Sequence, residues 1–91
     1  MAKRQLFLKI FGQVQGVGFR YFLLKQAKVF SLYGWAKNMD DGTVECLVEG
    51  EEKILNKFKE IAEKGPTSAK VEKVEEKWGE ASDEFLDFEI R

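Results

Sequence analysis

Residues 12–20 read Gly-Gln-Val-Gln-Gly-Val-Gly-Phe-Arg, and they join two stretches of different period. Before them, Leu6, Leu8 and Ile10 alternate with Phe7, Lys9 and Phe11, the spacing of a half-buried strand over residues 5–12. After them, Phe22, Leu23, Ala27 and Phe30 recur near helical spacing from Arg20 to about Ser31, with Phe19 just ahead. A strand must therefore become a helix through one short glycine-rich loop. Glycine lets the backbone curl so that successive N–H groups point inward. A helix N-terminus adds further free N–H groups and a partial positive charge. Arg20 stands at that positive end, where a cation gains nothing from the dipole unless an anion lies between them. Its planar guanidinium matches a pair of phosphate oxygens. On these residues alone two readings stay open. One is a glycine turn that merely connects strand to helix. The other is an anion cradle built from Gln15, Gly16, Val17, Gly18, Phe19 and Arg20. The loop is not a P-loop, because no Gly-Lys-Ser/Thr follows, nor a dinucleotide fingerprint, because the Gly-x-Gly-x-x-Gly order is missing.

The rest of the chain supplies the frame. Residues 32–38 and 43–49 read as two strands, the second with Val44, Cys46 and Val48 on one face. Asp40-Asp41-Gly42 between them is a hairpin turn, since Asp-Gly tolerates positive φ. A second helix is expected over residues 51–64, with Ile54, Leu55, Phe58, Ile61 and Ala62 as its apolar stripe. Glu51 and Glu52 suit its start, Lys64 its end, and Gly65-Pro66 stops it. Val71, Val74 and Trp78 mark a fourth strand, where the step from 71 to 74 breaks alternation and calls for a bulge or a twist. Leu86, Phe88 and Ile90 alternate as a last strand. The order β-α-β-β-α-β, with a short extra strand, is a split β-α-β arrangement: an α+β sandwich with an antiparallel sheet and two helices on one face. Its first strand sits centrally, and the hairpin comes close to the glycine loop. Arg20 and Asn38 are then expected to share one pocket. Taken alone, Asn38 is either a turn residue or a neutral amide able to hold a water without repelling an anion.

Composition removes several function classes. The sequence has no histidine and one cysteine, Cys46, so it offers no His-based acid/base chemistry, no internal disulfide and no zinc site of ordinary type. Cys46 reads as a small buried hydrophobe. The net charge of −1 argues against a general nucleic-acid binder. Residues 1–50 carry seven Lys/Arg against four Asp/Glu, and residues 51–91 carry eight against twelve. The positive half holds the glycine loop, which either steers an anion or reflects solvated faces. Phe7, Phe11, Tyr33 and Trp35 on a sheet face suggest base stacking. The strand Thr-Val-Glu-Cys-Leu-Val-Glu carries acids instead of aromatics, so structural roles are expected for these rings. Lys9 cuts the N-terminal apolar run too short for a signal peptide or membrane span. A single domain over residues 1–91 is expected, in the cytoplasm, as a monomer with no nucleic-acid or membrane partner.

Gly12-x-Val14-Gln15-Gly16-Val17-x-Phe19-Arg20 resembles the first signature of the acylphosphatase family. Gly34-Trp35-Ala36-Lys37-Asn38-x-x-x-Gly42-x-Val44-x-x-x-x-x-Gly50 resembles the second. Together the two constrain over a dozen positions in the family's order. The resemblance implies a ferredoxin-like fold that hydrolyses the carboxyl–phosphate bond of small acyl phosphates. It implies no cofactor, no metal and no phosphoenzyme intermediate. It makes Arg20 the phosphate-binding arginine, Asn38 the water-orienting asparagine, and residues 15–19 the phosphate loop. Ser31 stands where the family often has Gly; Ala36 and Lys37 fall within its usual range. No general base is evident, because Asp40 and Asp41 look like turn residues, so a phosphate oxygen of the substrate is expected to take the water's proton. The alternative is a non-catalytic module of the same fold that binds carbamoyl phosphate or another anion. The presence of both Arg20 and Asn38 favours the enzyme.

Overall fold

The computed structural model describes residues 2–91. The chain runs β1 (Lys3–Gln13), α1 (Phe19–Val29), β2 (Tyr33–Asn38), β3 (Val44–Glu51), α2 (Glu52–Lys64), β4 (Lys70–Glu80) and β5 (Phe88–Ile90). The strands form one sheet in the order β4-β1-β3-β2-β5. Alternation sets the register: Leu6 faces Val48, Leu8 faces Cys46 and Ile10 faces Val44, all fully buried. A one-residue slip would turn this whole set to the open face, so burial fixes the pairing. The helices cover the same side. α1 packs on β2 and β5 through Phe19, Leu23 and Ala27; α2 packs on β3, β1 and β4 through Leu55, Phe58 and Ala62. Cys46 is fully buried, and burial pushes its thiol pKa up.

The expected bulge is present. Phe11 pairs with Lys73 but Gly12 pairs with Val71, leaving Glu72 as the extra residue of β4. Gly12 has φ +131°, and a Cβ there would lie 2.1 Å from the Lys70 carbonyl oxygen.

The last strand differs from the sequence expectation. β5 covers only Phe88–Ile90 and pairs parallel with β2, so the sheet is mixed rather than wholly antiparallel. Leu86 lies outside it and is 93% exposed. The strand is entered only when the Gly34 N–H donates to the Asp87 carbonyl oxygen, 3.0 Å away, and Phe88 closes the core beside it. On the open face, Phe7, Leu47 and Trp35 form one apolar row across three strands. Lys73 lies 4.4 Å from the Phe11 ring centroid and Arg91 5.4 Å from that of Trp35, so these rings are met by cations of the same chain.

Candidate active site

The loop between β1 and α1 is held at three points. Phe19 is buried and meets Phe22 edge to face, which anchors the first turn of α1 in the core. The Ser68 hydroxyl donates to the Val17 carbonyl oxygen at 2.9 Å. The Gln15 amide donates to the carbonyl oxygens of Met39 and Thr43, at 2.7 and 2.9 Å. Between these anchors the chain curls through Gly16 (φ +73°) and Gly18 (φ +77°), a left-handed conformation that disfavours side chains. Gly18 is the N-cap of α1 and has no side-chain cap bond; the first turn contains no acid. Among the described residues, none of the backbone N–H groups from Gly16 to Tyr21 is committed to a protein acceptor. Several amides and the positive end of a helix dipole therefore converge on one place.

The hairpin brings the second component. Asn38 ends β2 in register with Val44. It has the same strand parity as buried Gly34 and Ala36, so it lies on the helix-covered side, toward α1. The turn beyond it is rigid. The Met39 N–H donates to the Thr43 carbonyl at 2.8 Å, and Asp41 accepts from the Thr43 N–H and hydroxyl at 3.0 and 2.6 Å. Lys9 lies 3.0 Å from Asp41 and 3.1 Å from Glu45. The Thr43 hydroxyl and amide, with Lys9, pull the Asp41 carboxyl down to about 2, while these carboxylates raise the Lys9 ammonium. Asp41 is thus an occupied structural acceptor and not a base facing the cleft.

These pieces enclose a cleft of about 150 Å³. The loop contributes Val14, Gly16 and Gly18; the helix start contributes Phe19, Arg20 and Tyr21; Asn38 and Ile90 complete the lining. None of these residues is acidic. The Arg20 guanidinium donates to the Arg91 backbone oxygen at 3.1 Å, and the Arg91 N–H donates to the Ala36 carbonyl at 2.8 Å, so β5 helps to place Arg20. Of the residues singled out in the sequence, Gly16, Gly18, Phe19, Arg20 and Asn38 meet here. Val17 packs against the core, and the Gln15 side chain is turned to the hairpin, where it ties Asn38's turn to the loop. Tyr21 and Ile90 were not singled out. The only signal for Ile90 was its alternation with Phe88. A wider depression of about 860 Å³ at the other end, lined by Lys3, Arg4, Glu80 and Asp83 among others, carries both signs of charge and none of the motif residues.

A strand, an amide-rich loop and an arginine at a helix N-terminus, facing a neutral amide across a small cleft, give this ferredoxin-like α+β fold a site whose chemistry suits an anion. Comparison makes this specific. The acylphosphatase family model matches residues 6–90. An acylphosphatase of Thermococcus kodakarensis is 40% identical over 80 residues, covering 88% of each chain. The crystal structure of acylphosphatase from Bacillus subtilis superposes with a TM-score of 0.93 at 39% identity, covering 97% of this chain and 98% of that one. That of T. kodakarensis HypF gives 0.83 at 30% identity, covering 97% of this chain but 12% of the other. The chain belongs to the acylphosphatase family.

Proposed function

We propose that this cleft hydrolyses acyl phosphates to a carboxylate and inorganic phosphate, with the loop amides and Arg20 binding the phosphoryl group and Asn38 orienting the water. The observation that carries the assignment is the convergence of uncommitted amides, Arg20 and Asn38 on one acid-free cleft. The amides from Gly16 onward and the Arg20 fork neutralise the phosphoryl oxygens as charge redistributes in the transition state. The Asn38 amide accepts a hydrogen bond from the water and donates to the phosphoryl side. Water oxygen bonds to phosphorus as the bond to the acyl oxygen breaks. The carboxylate is a good leaving group and needs no strong acid. The water's proton passes to a phosphoryl oxygen; Asp41 is engaged by Thr43 and Lys9, which supports this substrate-assisted route. No step calls for a metal or cofactor, and positioning with electrostatics supplies the acceleration.

A second reading is a module of the same fold that binds carbamoyl phosphate or another anion without turnover; the likeness to one part of the much longer HypF chain shows that this fold also occurs within a larger protein. Hydrolysis of benzoyl phosphate with a chelator present separates the two. The expected result is chelator-resistant turnover, with kcat falling about 100-fold in Asn38→Ala and KM little changed. A well-folded wild-type chain that binds phosphate without turnover leaves the binding module.

A further inference from the structure

The cleft has a charged half and an apolar half, and the apolar half has no role in phosphate binding. Five large hydrophobic side chains are exposed among the described residues, and two of them, Tyr21 (59% exposed) and Ile90 (41%), line this one cleft. The other three are scattered: Val29 ends α1, Tyr33 opens β2 and Leu86 precedes β5. Ile90 is held where it is by its neighbours. Phe88, two residues before it, is pinned in the core, and the Arg91 N–H, just after it, donates to the Ala36 carbonyl at 2.8 Å. Tyr21 follows Arg20 in the first turn of α1, and the Lys25 ammonium lies 5.7 Å from its ring centroid, one helical turn on. Both apolar residues therefore line the cleft beside Arg20 and the loop and are left open to solvent.

A volume of about 150 Å³ takes a phosphoryl group with a small acyl group. A larger acyl group must extend across the rim. Resting on the hydrolase reading above, we infer that Tyr21 and Ile90 form the acyl-binding rim of this site and select acyl phosphates with aromatic or branched apolar acyl groups over acetyl phosphate. The rim presents apolar surface to the acyl carbon skeleton, while Arg20 and the loop amides are occupied by the phosphate. Contact with apolar surface that is otherwise wet favours each added carbon of the acyl group.

The test measures kcat/KM for benzoyl phosphate and acetyl phosphate with the full chain, with Tyr21→Ala and Ile90→Ser, and with Ile90→Leu as the conservative control. Comparing each variant's ratio with the wild-type ratio cancels the different intrinsic reactivity of the two substrates. A methylene in an enclosed pocket is worth tenfold or more; a half-open rim gives less, so the benzoyl-to-acetyl ratio is expected to fall about five- to tenfold in each truncation. The fall should lie in KM for benzoyl phosphate, and Ile90→Leu should restore the ratio. Circular dichroism and the thermal midpoint verify folding, and Tyr21→Ala, at an exposed helical position, keeps the test open if Ile90→Ser disturbs β5. An equal loss for both substrates, or an unchanged ratio, overturns the acyl rim while leaving the hydrolase. A folded wild-type chain that turns over neither substrate overturns the hydrolase reading and the rim with it.

Discussion

Two loops at opposite ends of the sheet gather backbone N–H groups and treat them in opposite ways. Between β4 and β5, the Ser82 and Asp83 N–H groups donate to Glu49 at 2.7 and 3.1 Å, and the Ser82 hydroxyl and Gln5 amide join them at 3.0 and 2.8 Å. Glu49 is 6% exposed, so this end carries its own buried anion, fully hydrogen-bonded as burial demands. Between β1 and α1, the amides of residues 16–21 converge without any acid, and a cation, Arg20, stands where a helix normally prefers a carboxylate. The backbone conformations divide in the same way. Left-handed turns at the cleft are made by glycines, whereas the far end tolerates Ser31 (φ 56°) and Asp83 (φ 57°). One end is finished by the chain itself; the other is left with its amides uncommitted.

Removing the cation breaks this contrast most severely. Arg20→Ala should lower kcat/KM for benzoyl phosphate about 1,000-fold or more, since a charge-assisted, two-pronged contact to the phosphoryl group is lost in both ground and transition states. Inhibition by inorganic phosphate should weaken in parallel. Thermal stability should hold, because an unfavourable charge at a helix N-terminus is removed with it. Steady-state kinetics beside a melting curve provide the check. Undiminished phosphate inhibition would mean that the amides alone hold the anion, and Arg20 would lose its assigned place.

The filled end should fail in a different coin, stability instead of rate. Glu49→Gln replaces an oxygen that accepts amide protons with an NH2 that faces donors, and should cost about 2 kcal/mol in urea unfolding near neutral pH. The pH response follows from the same contacts. Burial pushes the Glu49 carboxyl upward, but hydrogen bonds from Ser82, Gln5 and Asp83 outweigh it and hold the pKa below its ordinary 4.5. The unfolded chain then takes up the proton first. The stabilisation is complete above about pH 5 and is lost as pH falls through the folded value. Asp41, drawn down to about 2, extends the loss to lower pH. In Glu49→Gln the upper part of this acid decline should flatten while the Asp41 part persists. An unchanged pH profile would show that Glu49 is not the built-in anion of this end.

What was legible in the sequence is what local physics controls. Alternation at Leu6, Leu8 and Ile10 gave β1, the broken step from Val71 to Val74 gave the bulge, and Asp-Gly gave the hairpin. The glycines and Arg20 gave the cleft's charged half, because their cost is visible locally wherever they stand. Long-range pairing was not legible. Leu86 continued the alternation of Phe88 and Ile90, yet strand pairing begins only where Gly34–Ala36 offer partners. Glu49 looked like one more acid on a strand, since nothing nearby shows that Ser82 folds over it from 33 residues away. Gln15 read as a cradle residue, whereas its amide spans to carbonyls on the hairpin 24 and 28 residues on. Side chains that bridge elements remain hidden until the topology is known.

The smallest expected effect sharpens the same comparison at the far end of α1. There the Leu32 N–H donates to the Ala27 carbonyl at 2.8 Å and the Ser31 N–H to that of Lys28 at 3.2 Å, the paired closing bonds of a helix whose next residue turns left-handed. Ser31 fills that position, which the motif prefers to give to glycine. A non-glycine residue in this conformation costs about 1–2 kcal/mol. Glycine relieves that cost but loses more chain entropy on folding, by roughly 0.5–1 kcal/mol. Ser31→Gly should therefore stabilise the chain by about 0.5–1 kcal/mol, seen as a rise of about 3–6 °C in Tm. Because Ser31 lies at the other end of α1 from Arg20, kcat/KM should be unchanged. A stabilised variant with altered kinetics would mean that the two ends of α1 are coupled, and that the finished end of the molecule contributes to the shape of the open one.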